Sequence, residues 1–245
     1  MTRMNIRSLF GNVLNWIYPP VCVSCGKPGA LICEDCLSKL PEVGAHYCSK
    51  CGKPLQKRRY CRHCAESEFR FQACRAPYVY DGPVSAMIKK LKYGGTLGLA
   101  PILAQLLTDF QEGLNWKVDM VVPVPLSPKR LAHRGFNQSE LIARRFGRNT
   151  GITCQPKALM KPMDTLQQVG LNAEERRKNL SGAFAAEPVL IRDKHVLLLD
   201  DVMTTGSTFA ECSAVLLDAG AKSVKCLSVA TTTADHGKQK MFDTL

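Results

Sequence analysis

The sequence predicts an α/β fold in which a parallel β-sheet flanked by helices follows a small cysteine-rich amino-terminal module. From residue 73 onward, short apolar runs alternate with amphipathic helical patterns, which is typical of β–α units in a parallel sheet. Before residue 73, eight of the 12 cysteines form four Cys-x-x-Cys pairs, a spacing typical of metal sites. We therefore expect a helical segment at 1–20, the cysteine module at 21–72 and the α/β domain at 73–245.

Residues 1–20 predict a short amphipathic helix that docks on the protein. Apolar side chains recur at helical spacing, and Tyr18-Pro19-Pro20 follows them instead of a small-residue cleavage site. No stretch of about twenty apolar residues occurs in the sequence, so no transmembrane segment is predicted. We expect a cytoplasmic protein, and peripheral contact of this helix with the inner face of the membrane is an open alternative.

The cysteine module predicts two structural Zn²⁺ sites, because two Cys-x-x-Cys pairs supply the four thiolates of one tetrahedral site. Sequential pairing is the main expectation, and a cross-braced arrangement stays open because the spacing allows both. Disulfides and an iron–sulfur cluster are the competing uses of these thiols, but a reducing cytoplasm and paired knuckles favour zinc. With sequential pairing, the ligands are Cys22, Cys25, Cys33 and Cys36 at one site and Cys48, Cys51, Cys61 and Cys64 at the other.

A basic run with one aromatic residue surrounds the last ligand pair. The chain has a formal net charge of +12, and residues 1–72 hold 11 Lys and Arg against 5 Asp and Glu. Cations that neutralise phosphates, beside a ring that stacks on bases, are typical of single-stranded nucleic-acid binding. The run therefore predicts a contact with single-stranded DNA, and a solvated loop is the equal alternative. Its residues are Lys57, Arg58, Arg59, Tyr60 and Arg62.

The α/β domain begins with a predicted strand at 76–80. A helix through Val84, Met87, Ile88 and Leu91 follows, with Lys89, Lys90 and Lys92 on its wetter side. Gly94-Gly95 ends that helix. The next predicted elements are a helix at 97–110, a strand at 118–125, a helix through Leu141, Ile142 and Phe146, a strand from Val196 and a last strand at 223–230.

The loop after the strand at 118–125 has the composition of an anion site. A strand end that opens into a loop with two cations suits a polyphosphate, because parallel sheets bind ligands at the carboxyl ends of their strands. Arg134, before Gly135, predicts a guanidinium presented to an anion, and packing of Arg134 against Phe136 is an equal alternative. The anion loop comprises Pro125, Leu126, Ser127, Lys129 and Arg130.

Polar residues at 161–180 predict either an extended flap over a site that excludes water or a surface insertion.

The stretch 196–208 carries the strongest functional signal. An apolar run predicts a buried strand, two carboxylates stand where it stops, and a hydroxyl-rich loop leads into a helix from Phe209. The loop and the helix start suit a phosphate, since hydroxyls and unpaired N–H groups point at it. Asp200 and Asp201 accept hydrogen bonds and therefore suit vicinal sugar hydroxyls. The stretch predicts a ribose 5-phosphate site rather than a plain turn, and its loop residues are Thr204, Thr205, Gly206, Ser207 and Thr208.

These motifs, in this order, resemble the ComF family of competence and DNA-utilisation proteins, which are type I phosphoribosyltransferase-like with a double zinc ribbon. The resemblance covers nearly the whole chain. It implies that Asp200 and Asp201 hold the ribose of phosphoribosyl pyrophosphate, that 204–208 holds its 5-phosphate, and that 125–130 faces its pyrophosphate with Mg²⁺ bridging. It also implies a role in natural transformation, with incoming single-stranded DNA and proteins of the DNA-uptake machinery as partners. The matching stretches are the cysteine knuckles, Val122-Pro123-Val124-Pro125, Arg134-Gly135-Phe136-Asn137-Gln138, 167–179 and 196–208.

Two function classes stay open at this point. One is a phosphoribosyltransferase with an undefined acceptor, whose catalytic residues are Asp200, Asp201, Arg134 and Lys129. The other is a catalytically silent nucleotide-sensing, zinc-dependent single-stranded DNA-binding or scaffold protein. No segment of the sequence specifies a nucleobase, so the resemblance supports a phosphoribosyl pyrophosphate site more strongly than it supports turnover.

Overall fold

The computed structural model describes residues 19–56, 59–162 and 182–233. The predicted helix at 1–20 lies outside these ranges except for its last two residues, and the polar segment at 161–180 lies outside them except for its first two. Lys57 and Arg58 of the basic run also lie outside. All eight predicted zinc ligands, and the loops at 125–130 and 204–208, lie within the described ranges.

Within these ranges, six strands form one sheet in which every pairing is parallel. They are β1 (Cys74–Arg75), β2 (Tyr78–Val79), β3 (Met120–Pro123), β4 (Thr153–Cys154), β7 (His195–Met203) and β8 (Ser223–Thr231). Their spatial order is β1-β8-β7-β3-β4, and β2 also pairs with β8. A separate antiparallel pair consists of β5 (Leu159–Met160) and β6 (Ala185–Ala186).

Helices cover both faces of this sheet, which confirms the predicted parallel α/β architecture. Side chains alternate along β7, so Leu197 and Leu199 pack with the helices at 82–94, 99–112 and 138–150, whereas Val196 and Leu198 lie in the layer of the helix at 207–218. The described helices are α1 (Glu34–Leu37), α2 (Arg62–Ala65), α3 (Gly82–Gly94), α4 (Leu99–Glu112), α5 (Pro128–Arg134), α6 (Gln138–Thr150), α7 (Pro188–Ile191) and α8 (Ser207–Asp218). A 3₁₀ turn spans Pro156–Ala158.

The strand predicted at 76–80 is shorter in the structure, where β2 spans only Tyr78–Val79 and a separate short strand, β1, precedes the predicted range at Cys74–Arg75. Both strands pair with β8 in one continuous register, since Arg75 lies opposite Leu227 and Tyr78 lies opposite Ala230. Pro77 stands between them and has no N–H to donate to β8. The proline therefore interrupts the ladder without changing the path of the chain.

Two boundaries beside the predicted ligand site also differ from expectation. The segment after β3, expected to be a loop, contains α5, because Pro128 occupies its first turn and the Ser127 hydroxyl caps the N–H of Arg130 at 3.5 Å. The strand β7 does not stop before the two carboxylates but continues through them to Met203. Because side chains alternate along a strand, this continuation separates Asp200 from Asp201.

Candidate functional site

The eight cysteines of the amino-terminal module form two compact four-sulfur sets. The Sγ atoms within each set all lie within 4.8 Å of one another, and all twelve cysteines of the chain are free of disulfides. Four thiolates that converge in this way fit a tetrahedral Zn²⁺ and leave no open position for chemistry. The sets are Cys22, Cys25, Cys33 and Cys36, and Cys48, Cys51, Cys61 and Cys64, so the sequential pairing is confirmed and the cross-braced alternative is not adopted.

The first Cys-x-x-Cys pair of each site sits on the same backbone turn. Gly26 and Gly52 both adopt positive φ, at 79° and 74°, which favours glycine. Their N–H groups donate to the carbonyl oxygens of Cys22 and Cys48, both at 2.9 Å. The two sites are therefore repeated copies of one knuckle.

The two zinc sites pack against opposite layers of the sheet. Cys22 and Cys36 lie in the layer of α3, α4 and α6, and Cys25 of this site is exposed. Cys48 of the second site is fully buried, in the layer of α8, together with Phe71. A Cβ at Gly52 would lie 2.6 Å from the carbonyl oxygen of Cys74 on β1. Both sites therefore contact the core, and they differ in that the first has an exposed cysteine, Cys25, whereas Cys48, Cys51 and Cys61 of the second are all buried.

Asp200 and Asp201 point to different partners at the carboxyl end of β7. The Ser139 hydroxyl, in the first turn of α6, donates to Asp200 Oδ1 at 2.6 Å. Asp201 is buried, and its Oδ2 lies 2.9 Å from Lys92 Nζ on α3. The structure thus brings Asp200 to the α6 start and gives Asp201 a buried counter-ion.

The surroundings of these acids change the pKa values of two groups. Burial, together with the negative charge of Asp201, raises the pKa of Asp200 to about 7. Burial alone would lower the pKa of Lys92, but the adjacent Asp201 carboxylate raises it overall. Lys92 is therefore a cation at neutral pH, whereas Asp200 gains or loses its proton near neutral pH.

Replacing Asp200 by Asn is expected to raise the free energy of unfolding at pH 8 and to change it little at pH 4. The folded-state pKa of about 7 exceeds the ordinary value of 3.8, so between these pH values the folded state binds more protons than the unfolded state. Wild-type stability therefore falls as pH rises through this window, and Asn removes that loss. Urea unfolding of the wild type and of Asp200→Asn from pH 4 to pH 8 measures the difference in their free energies of unfolding. A difference that does not change with pH would contradict the prediction.

The loop at 204–206 and the start of α8 form the predicted phosphate site. Gly206 immediately precedes α8 and has φ of 84°, a conformation that strains any residue with a Cβ. Thr205 Oγ1 lies 2.9 Å from Ser207 Oγ and accepts from the Ser207 N–H at 3.3 Å. Within this loop, the hydroxyls of Thr205 and Ser207 therefore bond each other.

Asp200 and this loop line one narrow cleft. Its free volume is about 20 Å³, which is space for roughly one water molecule. A sugar phosphate would therefore enter only if the loop moved outward and its internal hydroxyl contact opened. The lining residues are Asp200, Val202, Met203, Thr204, Gly206, Ser207, Thr208 and Phe209.

The segment 125–130 follows β3, and the cleft lies at the carboxyl end of β7. Because β3 and β7 are paired in parallel, the segment lies beside the cleft. Its start is held by Asn137, whose Nδ2 donates to the Val124 carbonyl at 2.9 Å. The Ser127 hydroxyl is used to cap α5, whereas Lys129 and Arg130 are exposed. The loop therefore offers two exposed cations at this edge of the sheet, and Pro125 and Leu126 connect them to β3.

Arg134 ends α5 and contacts both neighbouring helices. Its guanidinium donates a short hydrogen bond to Gln138 Oε1 at the start of α6. The guanidinium carbon also lies 5.4 Å from the ring centroid of Tyr93 on α3. The ring that this guanidinium contacts is therefore that of Tyr93, whereas the sequence analysis allowed packing against Phe136 as an equal alternative to anion binding.

In the basic run of the zinc module, the described residues are Arg59, Tyr60 and Arg62. The guanidinium of Arg59 lies 5.4 Å from the centroid of the partly exposed Tyr60 ring. Arg62 Nε donates to Glu66 at 2.9 Å. The described part of the run therefore presents one exposed cation–ring pair, Arg59 with Tyr60, while Glu66 partly offsets the charge of Arg62.

Sequence reasoning missed three residues at this edge: Lys92, Ser139 and Tyr93. The prediction that Lys92 lies on the wet side of α3 is wrong, because its side chain is mostly buried against Asp201. A signal existed, since Lys92 follows Ile88 by four residues and so shares the apolar stripe. Ser139 and Tyr93 carried no comparable signal.

Two family models match the chain. The model described as a double zinc ribbon domain matches residues 13–65, and the model described as a phosphoribosyl transferase domain matches residues 98–244. The first covers both four-cysteine sets, and the second covers the strands and loops around the cleft. The matches agree with the sulfur geometry and with the parallel sheet.

Several bacterial proteins are similar over most of their length. The DNA utilization protein YhgH of Escherichia coli K12 is 32% identical over 218 residues, which cover 84% of this chain and 95% of that protein. Competence protein F of Haemophilus influenzae is 30% identical, covering 81% and 90%. Competence protein ComFC of Bacillus subtilis is 26% identical, covering 84% and 85%.

Among solved structures, the chain has partial similarity to the following two. Glutamine phosphoribosylpyrophosphate amidotransferase from B. subtilis, complexed with ADP and GMP, has 19% identity and a TM-score of 0.38 over 53% of this chain and 26% of that chain. Phosphoribosylpyrophosphate synthetase from Mycobacterium smegmatis has 18% identity and a TM-score of 0.33 over 55% and 35%.

In the part of the chain that the structure describes, no helix has the length and apolar character that crossing a bilayer requires.

A double zinc ribbon is followed by a phosphoribosyltransferase-type sheet, and the relatives align with this chain over most of its length. The chain therefore belongs to the ComF family of competence and DNA-utilization proteins.

Proposed function

We propose that this protein binds phosphoribosyl pyrophosphate, or a related ribose phosphate, at the carboxyl edge of its sheet and acts in the handling of single-stranded DNA. The observation that carries the proposal is that Asp200, Gly206 and the first turn of α8 line the same cleft. A hydrogen-bond acceptor for a diol and a cluster of donors for a phosphate face the same space.

Each part of the ligand has a matching group in this arrangement. The 5-phosphate would take the N–H groups and hydroxyls of 204–208, replacing the contact between Thr205 and Ser207. The ribose hydroxyls would donate to Asp200, which already accepts from Ser139. Asp201, the other acid expected to hold the sugar, would reach it only after separating from Lys92.

The pyrophosphate would face the segment 125–130 beside β3. Lys129 and Arg130 are cations, so they attract the anion but do not ligate Mg²⁺, which takes oxygen ligands and keeps several waters. Mg²⁺ bound with the ligand would neutralise part of the diphosphate charge, and Lys129 and Arg130 would attract the remaining negative charge. The exposed side chains of Lys129 and Arg130 would orient that anion at the mouth of the cleft.

The DNA part of the proposal rests on charge and on the named relatives. The chain has a net charge of +12, which favours polyanionic partners. Relatives named DNA utilization protein and competence protein align over most of this chain. We therefore place the protein in natural transformation or DNA use in the cytoplasm, with incoming single-stranded DNA and proteins of the uptake machinery as partners, either free or at the inner face of the membrane.

Transfer of the phosphoribosyl group to an acceptor is the enzymatic form of this proposal, and Arg134 or Lys129 would then meet the departing pyrophosphate. The second candidate is a catalytically silent nucleotide sensor or scaffold with zinc-dependent DNA binding. The sensor or scaffold is favoured because the Arg134 guanidinium already donates a hydrogen bond to Gln138 and lies over the ring of Tyr93. Release of pyrophosphate by the purified protein favours transfer, and ligand binding without release favours sensing.

Calorimetry with ribose 5-phosphate is expected to show binding to the wild type and at least about tenfold weaker binding to Asp200→Asn. A hydrogen bond to a charged acceptor contributes about 1.5–3 kcal/mol, and the carboxylate is assigned to the diol. Asp109→Asn, an exposed position on α4, is the matched control and should bind as the wild type does. Equal affinity of all three proteins would contradict the assignment of Asp200.

A further inference from the structure

The edge that carries the cleft also presents an aromatic ring to solvent. The Tyr93 side chain is 78% exposed at the end of α3, and the Arg134 guanidinium lies 5.4 Å from its ring centroid. We propose that Tyr93 and Arg134 form a stacking platform on which an unpaired base of a single-stranded nucleic acid sits, at the rim of the ribose phosphate cleft.

The position of this platform follows from contacts on both sides. Lys92, the residue before Tyr93, lies 2.9 Å from Asp201. Arg134 donates to Gln138, and the next residue, Ser139, donates to Asp200 at 2.6 Å. Tyr93 thus follows directly after the residue that contacts Asp201, and Arg134 bonds the residue that precedes Ser139, which contacts Asp200. The ring therefore stands at the carboxyl edge of the sheet.

The charge of the two helices suits a polyanion. The helices α3 and α5 together carry six Lys and Arg and no Asp or Glu. On α3, Lys89 and Lys90 are exposed in the turn before Tyr93, and on α5, Lys129 and Arg130 are exposed. A ring flanked by such cations combines a stacking surface for a base with charge for the neighbouring phosphates.

The chemistry favours a nucleic acid over an acidic peptide. A peptide carboxylate would need only the cations, whereas a base stacks on the face of a ring and gains further from an arginine plane. The choice of single-stranded nucleic acid rests on the proposed function, and the inference adds the place where the strand is bound. The contact expected in the zinc module at Arg59 and Tyr60 is a second pair of the same kind.

Fluorescence anisotropy with a labelled oligo(dT) and the full-length zinc-loaded protein tests the platform. Tyr93→Leu, which keeps an apolar side chain without a ring, is expected to weaken binding about tenfold, equivalent to about 1.4 kcal/mol and within the range for one stacked base. Tyr93→Phe should keep wild-type affinity, because the ring is retained. Tyr60→Leu compares the zinc-module pair in the same assay.

The outcomes separate the platform from the broader proposal. Unchanged affinity in Tyr93→Leu overturns the platform, and it does so whether or not Tyr60→Leu loses affinity. Equal losses in Tyr93→Leu and Tyr93→Phe also overturn it, because stacking would then not be the cause. Absence of oligo(dT) binding by the wild type overturns DNA handling as a whole, whereas ribose 5-phosphate calorimetry tests the cleft independently of both.

Discussion

Cys48→Ser is expected to remove one of the two zinc ions and to lower the free energy of unfolding by more than about 4 kcal/mol. Losses of this size are exceptional for one substitution and include the loss of a structural metal. Cys48 is fully buried in the layer that also holds Phe71 and the buried residues of α8. Without its metal, this site would leave unpaired thiols and poorly packed chain inside the main core.

The first zinc site provides the matched comparison. Cys25→Ser should also remove one zinc ion, but with a smaller loss of stability, because Cys25 is exposed whereas Cys48 is fully buried. Cys226→Ala, a buried cysteine outside both sets, should retain both ions. Metal content by mass spectrometry and urea unfolding of the three variants measure these effects. Equal destabilisation by Cys25→Ser and Cys48→Ser would contradict the different roles of the two sites.

Lys92→Met is expected to lower the free energy of unfolding by about 3–5 kcal/mol. The substitution removes the counter-ion of Asp201, whose side chain is buried. Breaking a buried ion pair from one side leaves an uncompensated charge in the interior, which is the costly case. Urea unfolding at pH 7 measures the loss.

A double-mutant cycle separates this pair from general packing. The double variant Lys92→Met with Asp201→Leu should lose less stability than the sum of the two single variants, since both charges are then gone. Lys90→Met, at an exposed position two residues earlier, should change stability by less than about 0.5 kcal/mol. A Lys92 variant as stable as the Lys90 variant would show that the ion pair does not stabilise the fold.

The parts of this protein that could be predicted from sequence are those specified by strong local chemistry. Four Cys-x-x-Cys pairs predict two metal sites, and the order of the pairs along the chain matches the two sets in space. The apolar run before Asp200 has to be buried on both faces, and this places it in the middle of a parallel sheet. The loop at 204–208 was likewise recognisable from its composition, and the structure adds that Gly206 has a positive φ immediately before α8.

The details of the cleft depended on tertiary contacts that no local pattern contains. The predicted strand ended at Leu199, so both acids were expected to act together on one sugar. In the structure β7 continues to Met203, and its alternation directs Asp200 and Asp201 to different partners. Where a strand ends depends on its neighbours, here the end of β8, where Thr231 and Thr232 bond the Met203 carbonyl.

The rim of the cleft was also beyond the sequence pattern. Tyr93 ends an amphipathic helix, and nothing in its spacing shows that Arg134, forty-one residues later, lies over its ring. That contact exists because α5 forms where a loop was expected, with Ser127 and Pro128 starting the helix. A short capped helix between two predicted elements was therefore enough to bring an arginine to an exposed ring.

The proposed function requires one cleft to hold both the diol and the phosphate of a ribose phosphate. A crystal structure of the zinc-loaded protein soaked with phosphoribosyl pyrophosphate and Mg²⁺ tests this requirement. We expect the 5-phosphate within hydrogen-bond distance of the N–H groups at 206–208, the hydroxyl contact between Thr205 and Ser207 opened, and the ribose hydroxyls on Asp200. Ligand bound elsewhere, or an unchanged cleft at saturating ligand, would contradict the account.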